Sequence, residues 1–191
     1  MSTLLGSELP DFLESLTRPP VRGLRMNPAK TDATELARLL DIELTPVPWS
    51  SETGFVLPPD APSLGFHPAI DCGLFYLQDP ASMLAPAVLG AEPGWRVADV
   101  AAAPGGKATD LAARVGPGGL MFANEVVRPR LRLLESALDR WGSRAVVAAS
   151  LALERLGGSW DAVLLDAPCT GEAVARRDPG AVREWSEASV R

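Results

Sequence analysis

Residues 96–115, RVADVAAAPGGKATDLAARV, decide the fold. RVADVA has the short, apolar, β-branched character of a buried strand. AAPGG breaks it with small residues and a proline, and GKATDLAARV resumes with apolar positions at helical spacing. A strand that enters a tight small-residue turn and leaves as a helix is the start of a βα unit, and the downstream sequence repeats the alternation. GLMFANEV (119–126) reads as a strand, RPRLRLLESALDRWG (128–142) as a helix and AVVAAS (145–150) as a strand. DAVLLDAP (161–168) reads as a further strand between Trp160 and Pro168. Short apolar strands separated by amphipathic helices predict an α/β fold with a doubly wound parallel sheet.

Upstream, residues 1–90 follow a different grammar and read as a small α+β module, which places a domain boundary between 1–90 and 91–191. LPDFLESL predicts a helix and RGLRMN a short strand. TDATELARLL predicts a helix capped by Thr31 or Asp32, with Leu36, Leu39 and Leu40 on one face. LTPVPWS and GFVLP read as short or edge strands, where proline is tolerated. PPDAPSLGFHPAIDCG reads as loop, and DPASMLAPAVLG as a helix beginning behind Pro80.

The composition narrows the functional classes. No apolar run approaches the ~20 residues of a membrane span. The amino-terminal stretch MSTLLGSELPDFLESL is acidic with no base, unlike a signal or transit peptide, so a soluble cytoplasmic protein is expected. Cys72, Cys169 and the single histidine, His67, form neither a zinc-ligand set nor a disulfide framework, so no metal is expected. His67 reads as a loop residue beside Pro68. The net charge of −6 sits wholly in the first half, where five basic residues face eleven acidic ones, while residues 91–191 hold thirteen of each. Nucleic-acid contact therefore has to come from local clusters, namely Arg128, Arg130 and Arg132, or Arg176 and Arg177.

Three constellations carry chemistry. The first, DVAAAPGGK from Asp99 to Lys107, offers small side chains for close ligand approach and the free N–H groups of a helix start, which suits a nucleotide-type cofactor. A P-loop would need glycine at Ala101 and Ser or Thr at Ala108, and a dinucleotide site three spaced glycines instead of Gly105 and Gly106 alone. The second is Glu125, at the end of the next strand, where an acid can accept hydrogen bonds from a ribose diol. The third is DAPCTGE, Asp166 to Glu172, at the end of the fourth strand. Ligands bind along the carboxyl edge of open α/β sheets, so all three are expected to face one cleft with Cys169 among them.

AAAPGGK, ANEV and DAPCTGE, in that order and spacing, resemble the cofactor and cytosine motifs of the Sun-type RNA (cytosine-5-)-methyltransferases, and RGLRMNPAK with GLFYLQDPASML resembles the segments preceding them. Within that family the chain is most similar to the bacterial RsmF-like branch, which acts on small-subunit ribosomal RNA. The resemblance runs from about Leu9 to Arg191 and implies a Rossmann-like class I methyltransferase domain. It implies S-adenosylmethionine as cofactor, bound by Ala101, Ala102, Ala103, Pro104, Gly105, Gly106, Lys107, Glu125 and Asp166, and ribosomal RNA as partner. It also implies transfer to cytosine C5: a cysteine thiolate adds to C6, the methyl group is delivered to C5, and loss of the C5 proton frees the thiol. Asp166 and Cys169 are the catalytic candidates, with Asp166 on the cytosine edge or the cofactor. Cys169 matches the family position that helps release the product, whereas the attacking cysteine belongs to a later strand motif that the sequence, ending at Arg191, is expected to lack.

Two departures accompany the resemblance. AASLALE stands where the family often has an acid for the adenine amine, leaving Ser150 as a substitute. Ala173, Val174 and Ala175 stand where relatives carry a glycine and bulky residues. One rival reading is a catalytically inactive RNA- or cofactor-binding protein, and another is a nucleotide-dependent oxidoreductase, which the missing three-glycine pattern disfavours.

Overall fold

The computed structural model describes residues 2–143, 146–152, 157–167 and 186. Two short helices, α1 (Ser2–Leu5) and α2 (Leu9–Thr17), belong to a unit apart from the compact one formed by Val21–Ala167.

The compact unit holds two sheets. The first is antiparallel, in the order β2 (Thr45–Pro46), β3 (Gly54–Val56), β1 (Gly23–Met26), β4 (Phe75–Leu77). Its strands are short because prolines and glycines bound them, and β1, the central strand, is buried at every position. Helix α3 (Ala33–Leu40) starts at Asp32, whose side chain accepts from Glu35 N, and stops at Asp41 in the left-handed conformation. Its buried face holds Leu36 and Leu40, while Leu39 is exposed, not on the core face expected from the sequence: with 3.6 residues per turn the core stripe admits positions four apart. The stretch read as loop between residues 58 and 73 contains one turn of helix, α4 (Pro68–Asp71). His67 caps it through Nδ1, which accepts from Ala69 N. Behind Pro80 a 3-10 turn (Pro80–Met83) runs into α5 (Leu84–Leu89).

The second sheet is parallel. Its strands are β5 (Arg96–Asp99), β6 (Leu120–Asn124), β7 (Val146–Ala149) and β8 (Ala162–Leu164), in the order β7-β6-β5-β8. Helix α6 (Gly106–Val115) follows β5 and α7 (Arg128–Trp141) follows β6. This is the expected α/β, Rossmann-like architecture. Val97, Leu111, Val115, Met121 and Leu134 form the heart of its core. The winding reverses between β5 and β8, which makes their carboxyl ends the topological switch point, the place where open α/β sheets form a ligand crevice.

The two sheets are tied through the carboxyl end of α7 and the start of α6. Asn27 Nδ2 donates to Gly73 O and Trp141 O, and Lys30 Nζ donates to Cys72 O and Arg140 O. The last carbonyls of a helix have no intrahelical donor, so residues from the other sheet satisfy them, and the Lys30 charge suits the negative end of the helix dipole. The approach is close enough that a Cβ on Gly73 would stand 1.8 Å from Arg140 O. Among the described residues no helix is long and apolar enough to cross a membrane.

Candidate functional site

Strand β5 delivers the 99–107 loop to the switch point, and backbone bonds stitch the loop to the strands on both sides. Val100 N donates to Leu164 O of β8, and Ala102 N donates to Asn124 O of β6. Asp99 is buried, with Oδ1 accepting from Ala101 N and Oδ2 without a hydrogen-bond partner among the described residues. Burial pushes its carboxyl up to about 6. The Ala101 N–H and the Lys107 charge pull it down, and the negative charges of Asp166 and Glu125 raise it further.

Gly105 turns the chain into α6 at φ +115°, a conformation L side chains rarely adopt. A Cβ there would also meet Ala137 Cβ of α7 at 2.8 Å, and one on Gly106 would meet Tyr76 Cε1 at 3.3 Å. The glycines were expected to open space for a ligand. At these two positions the constraint comes from the protein's own packing: the loop is pressed between α7 and β4. The first intrahelical bond of α6 runs from Thr109 N to Gly105 O, so the N–H groups of Gly106, Lys107 and Ala108 precede the ladder and point out of the helix start.

Strand β6 ends in Asn124 and Glu125 follows it, both fully or nearly buried. Asn124 holds two loops at once: Nδ2 donates to Val100 O and Leu151 O, and Oδ1 accepts from Leu151 N. Glu125 Oε1 accepts from Val127 N, and Oε2 lies 3.3 Å from Arg130 Nη1 as an ion pair without hydrogen-bond alignment. Arg130 Nη2 donates to Ala103 O. Arg130, expected with Arg128 and Arg132 in a surface cluster, is therefore engaged by the loop and by Glu125, while Arg128 and Arg132 remain exposed.

At the far side of the switch point Asp166 follows β8, and its Oδ2 receives Lys107 Nζ from the first turn of α6. Ser150, after β7, is exposed, and its Oγ donates to Val126 O at 3.4 Å. Ala101 to Lys107, Glu125 and Asp166 thus lie along one carboxyl edge, with Ser150 after the neighbouring strand. Cys169, Arg176, Arg177 and Ala173 to Ala175 lie outside the described residues. Cys72 is exposed at the carboxyl end of α4, in the turn before β4.

Sequence reading singled out none of Asn124, Tyr76 and Arg25 at this edge, and it placed Arg130 in the RNA-contact cluster instead. Tyr76 Oη donates to Pro104 O at 3.4 Å. Arg25, 1% exposed, donates from Nη2 to Gly106 O and Thr109 Oγ1. A signal was available for Arg25, a charged residue within the apolar strand pattern GLRM, but a strand of four residues permits an outward reading equally well.

The chain is 40% identical over 190 residues to the ribosomal RNA small subunit methyltransferase F of Enterobacter sp. (strain 638), covering 93% of this chain and 39% of that protein. It is 40% identical over 191 residues to the enzyme of the same description from Escherichia coli O157:H7, covering 94% and 40%. The chain therefore spans about two fifths of the length of these curated relatives. Among solved structures, a methyltransferase homolog protein from Pyrococcus horikoshii superposes with a TM-score of 0.79 at 33% identity, over 93% of this chain and 60% of that one. NSun6 from the same organism, solved with SFG, shares the fold at a TM-score of 0.77 and 22% identity, over 88% and 69%. Residues 1–80 match the N-terminal domain of 16S rRNA methyltransferase RsmF. Residues 86–190 match 16S rRNA methyltransferase RsmB/F, and with this ordered sheet edge beneath the match, the chain belongs to the RsmB/F family of 16S rRNA methyltransferases.

Proposed function

We propose that this chain is the N-terminal module (1–90) and the cofactor-binding part (from 91) of an enzyme that methylates C5 of a cytosine in small-subunit ribosomal RNA with S-adenosylmethionine. The observation that carries the reading is the meeting of the Asp99–Lys107 loop, Glu125 and Asp166 at one topological switch point, with Lys107 and Asp166 bridging it.

The donor set fits the cofactor. Three carboxylates, those of Asp99, Glu125 and Asp166, surround the edge, and Asp99 Oδ2 and Glu125 Oε2 lack hydrogen-bond partners among the described residues. They suit a ligand that brings cationic groups and a ribose diol. The free N–H groups at the start of α6 suit its carboxylate. When bound, the cofactor supplies an electrophilic methyl group on a sulfonium. The Ala101–Lys107 loop orients that ligand, Glu125 accepts from the ribose hydroxyls, and Ser150 is the substitute for the acid that would meet the adenine amine. Asp166, with Lys107 beside it, holds the cytosine edge or the cofactor.

C5 of cytosine becomes nucleophilic only after a thiolate adds to C6, and once the methyl group is in place loss of the C5 proton lets the thiol leave. In this reading Cys169 assists that release and the attacking cysteine comes from a later motif of the full-length enzyme. Exposed Arg128 and Arg132 are offered as RNA contacts.

Calorimetry with S-adenosylmethionine on the 191-residue chain tests the first half of the proposal. Glu125→Ala is expected to weaken binding about 10- to 100-fold, the loss of a charge-assisted hydrogen bond or two. Methyl incorporation into small-subunit ribosomal RNA, followed by nucleoside analysis, tests the second half with an extended protein. Modification at any atom other than cytosine C5 rejects the chemistry, and cofactor binding without transfer favours a cofactor-binding role alone.

A further inference from the structure

The loop that approaches the cofactor in the proposed reading is fixed through its carbonyls, and two of the donors come from the antiparallel sheet. Arg130 holds Ala103 O and Tyr76 holds Pro104 O. Thr109 holds Gly105 O and Arg25 holds Gly106 O, at 2.7 and 3.0 Å. Four consecutive carbonyls thus meet protein donors, while the amides of the α6 start remain unpaired by the helix.

Arg25 is placed for this task at a cost. Its guanidinium is wholly buried, which lowers its pKa to about 10, and Asp110 opposes that drop. It lies 4.3 Å over the Trp141 ring, with Nε donating to Gln78 Oε1 at 3.0 Å and facing Asp110 Oδ2 at 3.9 Å as an ion pair without a hydrogen bond. Nη2 reaches Gly106 O at 3.0 Å and Thr109 Oγ1 at 2.5 Å. Thr109 Oγ1 in turn donates to Gly105 O. A buried charge is retained without net gain unless its hydrogen bonds are satisfied, and here the fork ends on the turn that opens α6.

We propose that Arg25 and Tyr76, on β1 and β4 of the N-terminal module, are positioning residues that set the Pro104–Gly106 turn in its ligand-receiving conformation. The module is then part of the cofactor site, acting through the loop without touching the ligand. This rests on the reading of the loop as a cofactor site, and its test has an arm that does not.

The ligand-free arm measures amide exchange at Thr109, whose N–H closes the first bond of α6. Arg25→Lys keeps the charge but loses the fork, and Tyr76→Phe removes one hydroxyl. Both are expected to speed Thr109 exchange severalfold while amides of the β5–β6 pairing exchange at the wild-type rate. The ligand arm measures S-adenosylhomocysteine affinity by calorimetry, with losses of about tenfold for Arg25→Lys and about threefold for Tyr76→Phe. Leu36→Ala, in the core of the same antiparallel sheet and away from the loop, is the control: its melting temperature should fall while Thr109 exchange and affinity hold. The proposal is overturned if Tyr76→Phe and every folded Arg25 variant keep wild-type Thr109 exchange, or if Leu36→Ala weakens affinity as much as they do. Faster Thr109 exchange in a protein that binds no S-adenosylhomocysteine supports the positioning and rejects the cofactor reading instead.

Discussion

Lys107 of α6 and Asp166, beyond the end of β8, form an ion pair across the topological switch point of the parallel sheet. They are 59 positions apart in sequence, and their side chains are 22% and 59% exposed. An ion pair this open contributes little to stability, on the order of 0–1 kcal/mol. In the proposed reading the pair serves the ligand and not the fold.

Asp166→Asn should therefore shift the melting temperature by no more than a few degrees while reducing S-adenosylmethionine affinity or transfer by about tenfold. Calorimetry and thermal melts on the same preparations check this. A large drop in stability with unchanged affinity would mean that the pair is structural.

Asp99 links stability to pH. Its carboxyl titrates near 6 in the fold against an ordinary value of 3.8. Between those values the unfolded chain has lost the proton and the folded chain keeps it, so stability falls as pH rises through that window. The difference amounts to about 3 kcal/mol, fully felt above pH 6 and absent below 4. Asp99→Asn should flatten this part of the profile, since the amide oxygen can still accept from Ala101 N. Urea denaturation of the ligand-free protein at steps from pH 4 to 7 gives the comparison, and parallel profiles for the two proteins would refute the assignment.

Asn27→Ala removes donors from two carbonyls, Gly73 O and Trp141 O, in a buried setting. Leaving buried acceptors unpaired costs about 1–3 kcal/mol each at most, so a loss of roughly 2–4 kcal/mol is expected. Equilibrium denaturation measures it. A loss below 1 kcal/mol would show that water replaces the side chain at the end of α7.

Val163 on β8 and the adjoining Leu165 are 49% and 61% exposed, and β8 is an outer strand of the described parallel sheet. Exposed apolar edges pair with other chains. The 191-residue chain should self-associate with rising concentration in sedimentation experiments, and Val163→Lys should reduce it. A monomer at all concentrations would count against an accessible edge.

The parallel sheet was legible because each of its parts is local. RVAD, the small-residue turn and GKATDLAARV sit side by side in sequence, and α6 runs over Gly106–Val115 as its apolar spacing predicts. Glu125 and Asp166 were legible for the same reason, since both follow the last residue of a short apolar strand. Leu39 and Arg130 were misread because an exposed and an engaged residue have the same local pattern. Leu39 stands one position from a core residue, and Arg130 lies in a run of alternating arginines.

By itself, then, the sequence determined the strands and helices of the parallel sheet and which chemical groups follow its strands, because backbone periodicity and turn chemistry act over a few residues. Only the tertiary structure decided that Arg25 points inward to Gly106, 81 positions away, and that Asn27 reaches Trp141, 114 positions away. It also decided that Gly105 is required by Ala137. Those outcomes depend on unpaired carbonyls and buried charges finding partners on distant elements, and no local pattern encodes which partner the packed chain brings within 3 Å.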